Sequence, residues 1–136
     1  MTLQVGVKIF LRNKEGKYLL LKRSAEKYKD TKGSWDIVGG RINPGSSLLE
    51  NLKREVFEET GLKIISNPVL LYTQDIIHQN EMHVVRISYR GDTEGEPVLD
   101  ISENTKYQWL TINEMKKQED LDIYVAEILK EDILKD

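Results

Sequence analysis

Apolar positions change period along this chain, and each change marks an element. From Leu3 to Leu11 the chain is rich in Val and Ile at partly alternating positions, which predicts a half-buried strand. Asn13-Lys14-Glu15-Gly16 predicts a turn and Tyr18-Leu19-Leu20-Leu21 a second strand, together a hairpin. Ser24 to Gly33 is polar and reads as a loop carrying Tyr28. Trp35-Asp36-Ile37-Val38 predicts a short strand that stops at Gly39-Gly40.

The period then lengthens to that of a helix. Ser47, with Glu50 three residues on, makes a capping box, and Gly61 is a helix-ending residue. Leu48, Leu49, Leu52 and Val56 supply the apolar stripe between them. Val69 to Ile77 and Met82 to Tyr89 predict paired strands around Gln79-Asn80-Glu81. Gly91 to Pro97 reads as a Gly- and acid-rich connection, and Tyr107 to Leu110 as a last short strand. Thr111-Ile112-Asn113-Glu114 is a second capping box. Leu121, Tyr124, Val125, Ile128 and Leu129 then recur at helical spacing, so the C-terminus packs back as an amphipathic helix. With no repeat and no linker, the expectation is one domain over residues 1–136. Its class is α/β in the α+β sense: a mixed sheet with helices on its faces.

Composition narrows the possible functions. A 39% hydrophobic and 32% charged chain is that of an ordinary soluble protein. Cysteine is absent, which excludes disulfides and thiolate metal sites and fits a reducing, cytoplasmic setting. The opening MTLQVGVKIF reads as a strand, without the basic region and apolar stretch of a secretion signal. No apolar run suffices to span a membrane. A formal charge of −3 with dispersed Lys and Arg offers no footprint for duplex nucleic acid, so any nucleotide partner is expected to be a small molecule.

The candidate chemistry lies on the first helix, in KREVFEETGL. Glu55, Glu58 and Glu59 fall within an arc of roughly 100° beside the apolar stripe. Like charges at such spacing repel, and more strongly where water is partly excluded. A solvated acidic face paired with Lys53 and Arg54 is one reading. The other is a divalent cation, because Mg²⁺ is commonly held by one or two carboxylates plus substrate phosphates.

The surrounding residues favour the second reading. The stretch GRINPGSSLLENLKREVFEETGL resembles the Nudix box, G-x5-E-x7-R-E-U-x-E-E-x-G-U, in which U is a bulky aliphatic residue. Gly40, Arg54, Glu55, Val56, Glu58, Glu59, Gly61 and Leu62 fall on its positions, and the resemblance extends less sharply through GSWDIVGG and YQWLTINEM. One position departs: Ser46 stands where the box has its first glutamate, and Glu50, a turn further on, does not simply replace it. In the family that acid supports the metal cluster, so weakened metal occupancy and turnover are expected here. GRINPGSS also matches part of a P-loop, but Ser46 takes the place of the lysine that neutralises the phosphates.

The resemblance implies a Nudix fold and a Mg²⁺-dependent hydrolase, with Mn²⁺ an alternative ion, acting on a nucleoside diphosphate linked to another group. It implies Glu55, Glu58 and Glu59 as metal ligands, with the carbonyl of Gly39 or Gly40 as a further oxygen. Arg54 would orient Glu55 or a neighbouring acid. Glu55 would be the general base, or Glu103 in the loop Ser102-Glu103-Asn104, since members differ in this. Tyr28 and Trp35 lie where members build the pocket for the non-phosphate end, and Trp35 has core packing as its alternative. Asp36 would accept from a purine edge or, as a strand-edge acid, face solvent. Trp109 is expected beneath the last helices, and His78 and His83 on the surface flanking a hairpin turn.

Substrate markers of the family are missing. No Pro or Tyr occurs from Gln74 to Val85, where ADP-ribose and diadenosine polyphosphate hydrolases carry them, and the SQPWPFPxS motif is absent. Elimination leaves the MutT-like nucleoside triphosphate type. Two alternatives stay open: a nucleotide-sensing protein with weak turnover, suggested by Ser46, and an ADP-ribose or nucleotide-sugar hydrolase. Members are often dimers, but no stretch here locates a homodimer interface.

Overall fold

A computed structural model describes residues 1–26 and 33–135. The chain runs through β1 (Thr2–Arg12), β2 (Tyr18–Arg23), β3 (Trp35–Asp36), β4 (Val38–Arg41), α1 (Leu48–Thr60), β5 (Val69–His78) and β6 (Met82–Asp92). It ends with β7 (Asn104–Leu110), α2 (Ile112–Lys116) and α3 (Ile123–Lys130). The strands form one mixed sheet in the order β3-β2-β1-β6-β5, with β4 also paired to β1 and β7 to β2. Helices lie on its faces, giving the α+β class that the hydrophobic pattern predicts.

Several boundaries differ from those expected, each for a pairing reason. The β1–β2 hairpin closes at a single register pair, Arg12↔Tyr18. Beyond it the strands part, because β4 takes that edge of β1 from Gly6↔Arg41 to Ile9↔Val38, while β2 pairs with β7. The expected strand Trp35–Val38 is two strands, since Trp35 and Asp36 pair with β2 whereas Val38 onward pairs with β1. It also runs through Gly39-Gly40 to Arg41 instead of stopping there. Gly91 and Asp92 belong to β6, because its parallel register with β1 continues to Arg12↔Asp92. Pairing with Arg23 likewise extends β7 back to Asn104.

The sheet separates two apolar clusters. On one face Val7, Ile9, Leu11, Leu19, Leu21 and Val38 meet Leu52 and Val56 of α1. On the other, Phe10, Tyr18, Leu20 and Ile37 meet Met115 of α2 and Val125, Ile128 and Leu129 of α3. Each aliphatic side chain so buried contributes about 1.5–3 kcal/mol. Trp109 packs on the α1 face, its indole N–H donating to Glu96 at 2.9 Å, and not beneath the last helices. The alternation of β7 places Trp109 opposite to Leu110, which faces α2 and α3. Among the described residues, no helix is long and apolar enough to cross a membrane.

Both predicted capping boxes form. Ser47 Oγ accepts from the Glu50 N–H at 3.1 Å, and the Glu50 side chain accepts from the Ser47 N–H at 3.4 Å. Gly61 ends α1 at φ 70°, its N–H donating to the Phe57 carbonyl at 2.8 Å. These caps fix where α1 starts and stops.

Candidate active site

Buried Leu52 and Val56 fix the rotation of α1 against the sheet, which turns Glu55 and Glu59 towards β4. The backbone there admits them only because it is glycine. A Cβ on Gly40 would stand 2.7–2.9 Å from the Glu55 carboxylate atoms. Gly39, at φ 146°, could carry no Cβ without striking the Val7 carbonyl oxygen. The Gly39 N–H donates weakly to both Glu59 oxygens, at 3.4 Å each.

Glu59 is the strained member. Burial pushes its carboxyl up, Lys8 opposes that, and the neighbouring Glu55 charge adds to it; the net result is a pKa of about 8. Glu55 is better served, its side chain 15% exposed and its Oε1 accepting from Arg54 Nη1 at 2.9 Å. The same nitrogen donates to Glu58 Oε2 at 3.1 Å, and Glu58 is 57% exposed. Arg54 is therefore the bridge between two of the three glutamates. Its second nitrogen, Nη2, donates to Asn51 Oδ1 at 3.0 Å and to the Arg41 carbonyl at 3.4 Å.

Asp36 corrects the sequence reading. It neither faces solvent nor offers a free edge to a purine. Its carboxylate is buried and accepts from Lys8 Nζ at 2.9 Å, Arg86 Nη2 at 3.1 Å and Arg23 Nη2, with its own Oδ1 also taken by the Ile37 N–H. Burial alone would raise it, but Lys8, Arg86 and Arg23 together hold it well below the usual carboxylate range. Asp122 joins the cluster through Arg23 at 2.8 Å while capping α3 with its other oxygen. Lys8, Arg23, Arg86 and Asp122 were not singled out from the sequence. The available signal was a basic residue at an inward position of an otherwise apolar strand, as with Lys8 and Arg86.

The remaining candidates disperse. Trp35 is half-buried against the α3-side cluster, and its backbone bonds to Asp120 and Asp122, which favours the core alternative. Tyr28 lies outside the described residues. Glu103 sits at the β2–β7 junction, its carbonyl accepting from the Ser24 N–H at 2.8 Å. His83 pairs with Asp75 at 2.7 Å on the outer strands.

The donors suit a hard divalent cation. Among the described residues no three Asp, Glu or His side chains converge on one point as they stand, because Arg54 holds Glu58 outward. Two carboxylates do meet at the Gly39-Gly40 backbone, however, and Glu59 lacks adequate countercharge there. Mg²⁺ needs no more than one or two carboxylates, since it keeps several waters.

A mixed sheet flanked by helices, with a capped helix presenting glutamates to a Gly-Gly strand, defines a Nudix-type domain. The chain matches the family model described as the NUDIX domain over residues 2–131 and belongs to the Nudix family. Across 106 residues, 78% of this chain, it is 31% identical to a Bacillus subtilis (strain 168) protein provisionally described as an 8-oxo-dGTP diphosphatase, of which 65% is covered. It is 33% identical over 76 residues to the CTP pyrophosphohydrolase of Escherichia coli (strain K12), covering 52% of this chain and 55% of that one. The chain thus spans less than two thirds of either relative. The MutT protein from Methanosarcina mazei Go1 has a similar structure, with a TM-score of 0.79 at 28% identity, over 95% of this chain and 91% of that one. The MutT NUDIX hydrolase from Burkholderia pseudomallei shares the fold, with a TM-score of 0.80 at 22% identity, over 96% and 98% of the two chains. Nudix hydrolases generally use divalent metals.

Proposed function

We propose that this protein is a Mg²⁺-dependent pyrophosphohydrolase acting on a nucleoside triphosphate. The observation that carries the reading is Glu59, a half-buried carboxylate pushed to about 8 beside Glu55 and the Gly39-Gly40 backbone. Glu55 and Glu59, with the Gly40 carbonyl and an inward turn of Glu58, would hold the ion. When bound, it supplies positive charge against the diphosphate oxygens and makes water a better nucleophile. The proton of the attacking water passes to Glu55, whose orientation Arg54 fixes. Glu103, whose carbonyl accepts from the Ser24 N–H just after β2, is the second candidate base. The relatives described as acting on 8-oxo-dGTP and CTP support a nucleoside triphosphate as the substrate class.

A phosphate-release screen over nucleoside triphosphates, ADP-ribose, sugar nucleotides and dinucleotides, with Mg²⁺ and with chelator, tests the reading. Ion-dependent turnover of a triphosphate is expected, and Glu55→Gln should lower kcat by about 10²-fold or more with folding retained. Undiminished turnover in that variant removes Glu55 as the base. Tight nucleotide binding with no turnover on any substrate would replace the enzyme by a nucleotide sensor.

A further inference from the structure

Ser46 lacks the acid that the Nudix box carries at its position, yet the site has not lost its order. The Ser46 backbone is in use instead: its carbonyl accepts from Asn51 Nδ2 at 3.2 Å, and the Ser47 carbonyl accepts from the same nitrogen at 2.7 Å. On the other side of that amide, Oδ1 accepts from the Asn43 N–H at 2.8 Å and from Arg54 Nη2 at 3.0 Å. Both donor hydrogens and both acceptor sites of Asn51 are therefore used. Its orientation is fixed too, since a flipped amide would set its NH₂ against two donors and its oxygen against two carbonyls. Asn51 is 1% exposed. Asparagine is a poor helix former, so a fully bonded one buried in α1 has a tertiary reason to be there.

That reason lies one residue away from the chemistry. Arg54 gives Nη1 to Glu55 and Glu58 and Nη2 to Asn51 at 3.0 Å and, more weakly, to the Arg41 carbonyl at 3.4 Å, so the amide makes the shorter of the two bonds that set the plane of the guanidinium aiming both glutamates. We propose that Asn51 is a positioning residue that takes the place of the missing acid at position 46. It orients Arg54, and through it Glu55 and Glu58, while tying the loop 43–47 to the helix. A neutral acceptor does this without adding a negative charge beside the glutamates. The proposal rests on the metal-dependent hydrolase reading for its rate and ion-affinity measurements, and on the Arg54 signals for its geometry.

Asn51→Ala, Ser46→Glu and the double variant test it. In the metal-free protein the Arg54 guanidinium ¹⁵N–¹H signals should be resolved in the native chain and averaged in Asn51→Ala. Mn²⁺ affinity, read by electron paramagnetic resonance, should fall about tenfold. On the substrate found by the screen, kcat should fall at least about tenfold with KM within about threefold, and Ser46→Glu in that background should restore most of it. Ser46→Glu alone should change kcat by less than about threefold, because the acceptor is already present. If Asn51→Ala does not fold, Asn51→Asp keeps both acceptor bonds and loses the two donations to the loop; its Arg54 signals should stay resolved. Averaged Arg54 signals in Asn51→Asp overturn the proposal. So does an Asn51→Ala protein with a lowered urea midpoint but unchanged Arg54 signals and unchanged Mn²⁺ affinity. If no substrate is turned over, the magnetic-resonance measurements decide it by themselves.

Discussion

Two carboxylates, Asp36 on β3 and Glu59 on α1, lie within the field of the same lysine and end in opposite states. Asp36 sits among Lys8, Arg23 and Arg86 and is held well below the usual range. Glu59 has the more distant field of Lys8, a weak bond from the Gly39 N–H and the like charge of Glu55, and is pushed up to about 8. Burial acts on both in the same direction, so the count of nearby cations decides the outcome. The Asp36 cluster is electrically complete and joins β1, β2, β3, β6 and the start of α3 through buried ion pairs. Among the described residues no cation forms an ion pair with Glu59. A structural cluster satisfies itself, whereas a site for a charged ligand is left unsatisfied until the ligand arrives.

The sharpest way to break this contrast is Asp36→Asn. It leaves Lys8, Arg23 and Arg86 facing a neutral amide, and should lower the unfolding free energy by about 3–5 kcal/mol in urea titrations. A loss under about 1 kcal/mol would mean that the cluster does not hold the strands together. Next comes the pH dependence of stability in chelator. Glu59 keeps its proton in the fold up to about pH 8, whereas an unfolded glutamate loses it near 4.5. Folding therefore takes up a proton between those values. The contribution of Glu59 is fully present below the lower pKa and is lost as pH rises through the upper one. Glu59→Gln should flatten that decline, gaining up to about 5 kcal/mol over the native chain above pH 8. Added Mg²⁺ should raise the Tm of the native chain at that pH and leave the variant's nearly unchanged. The smallest effect belongs to Glu58→Gln: its ion pair to Arg54 is exposed, so stability should shift by less than about 0.5 kcal/mol. A larger loss would make Glu58 part of the structural framework instead.

Much of the site was legible along the chain because it is local. Ser47, Glu50 and Gly61 fix the ends of α1, its apolar positions fix its rotation, and the i, i+3 and i+4 spacing then sets Glu55, Glu58 and Glu59 on one side of it. The Gly39-Gly40 pair was visible as well, although the close approach it permits appears only once β4 lies against α1. Asp36 was misjudged because its partners come from three other strands, of which β6 lies far along the chain. Trp109 was misplaced because one step of strand alternation exchanges the two faces of the sheet. Asn51 carried no recognisable signal: its value depends on Asn43, Ser46, Ser47 and Arg54 arriving at one point.

The sequence alone determined the helix, its caps and the gathering of three acids on one side, since all of these follow from spacing within a single element. Tertiary structure alone decided which acids are held charged by neighbouring cations and which are pushed towards neutrality. Ionisation depends on the field of every nearby charge, and those charges are brought together only by the pairing of distant strands.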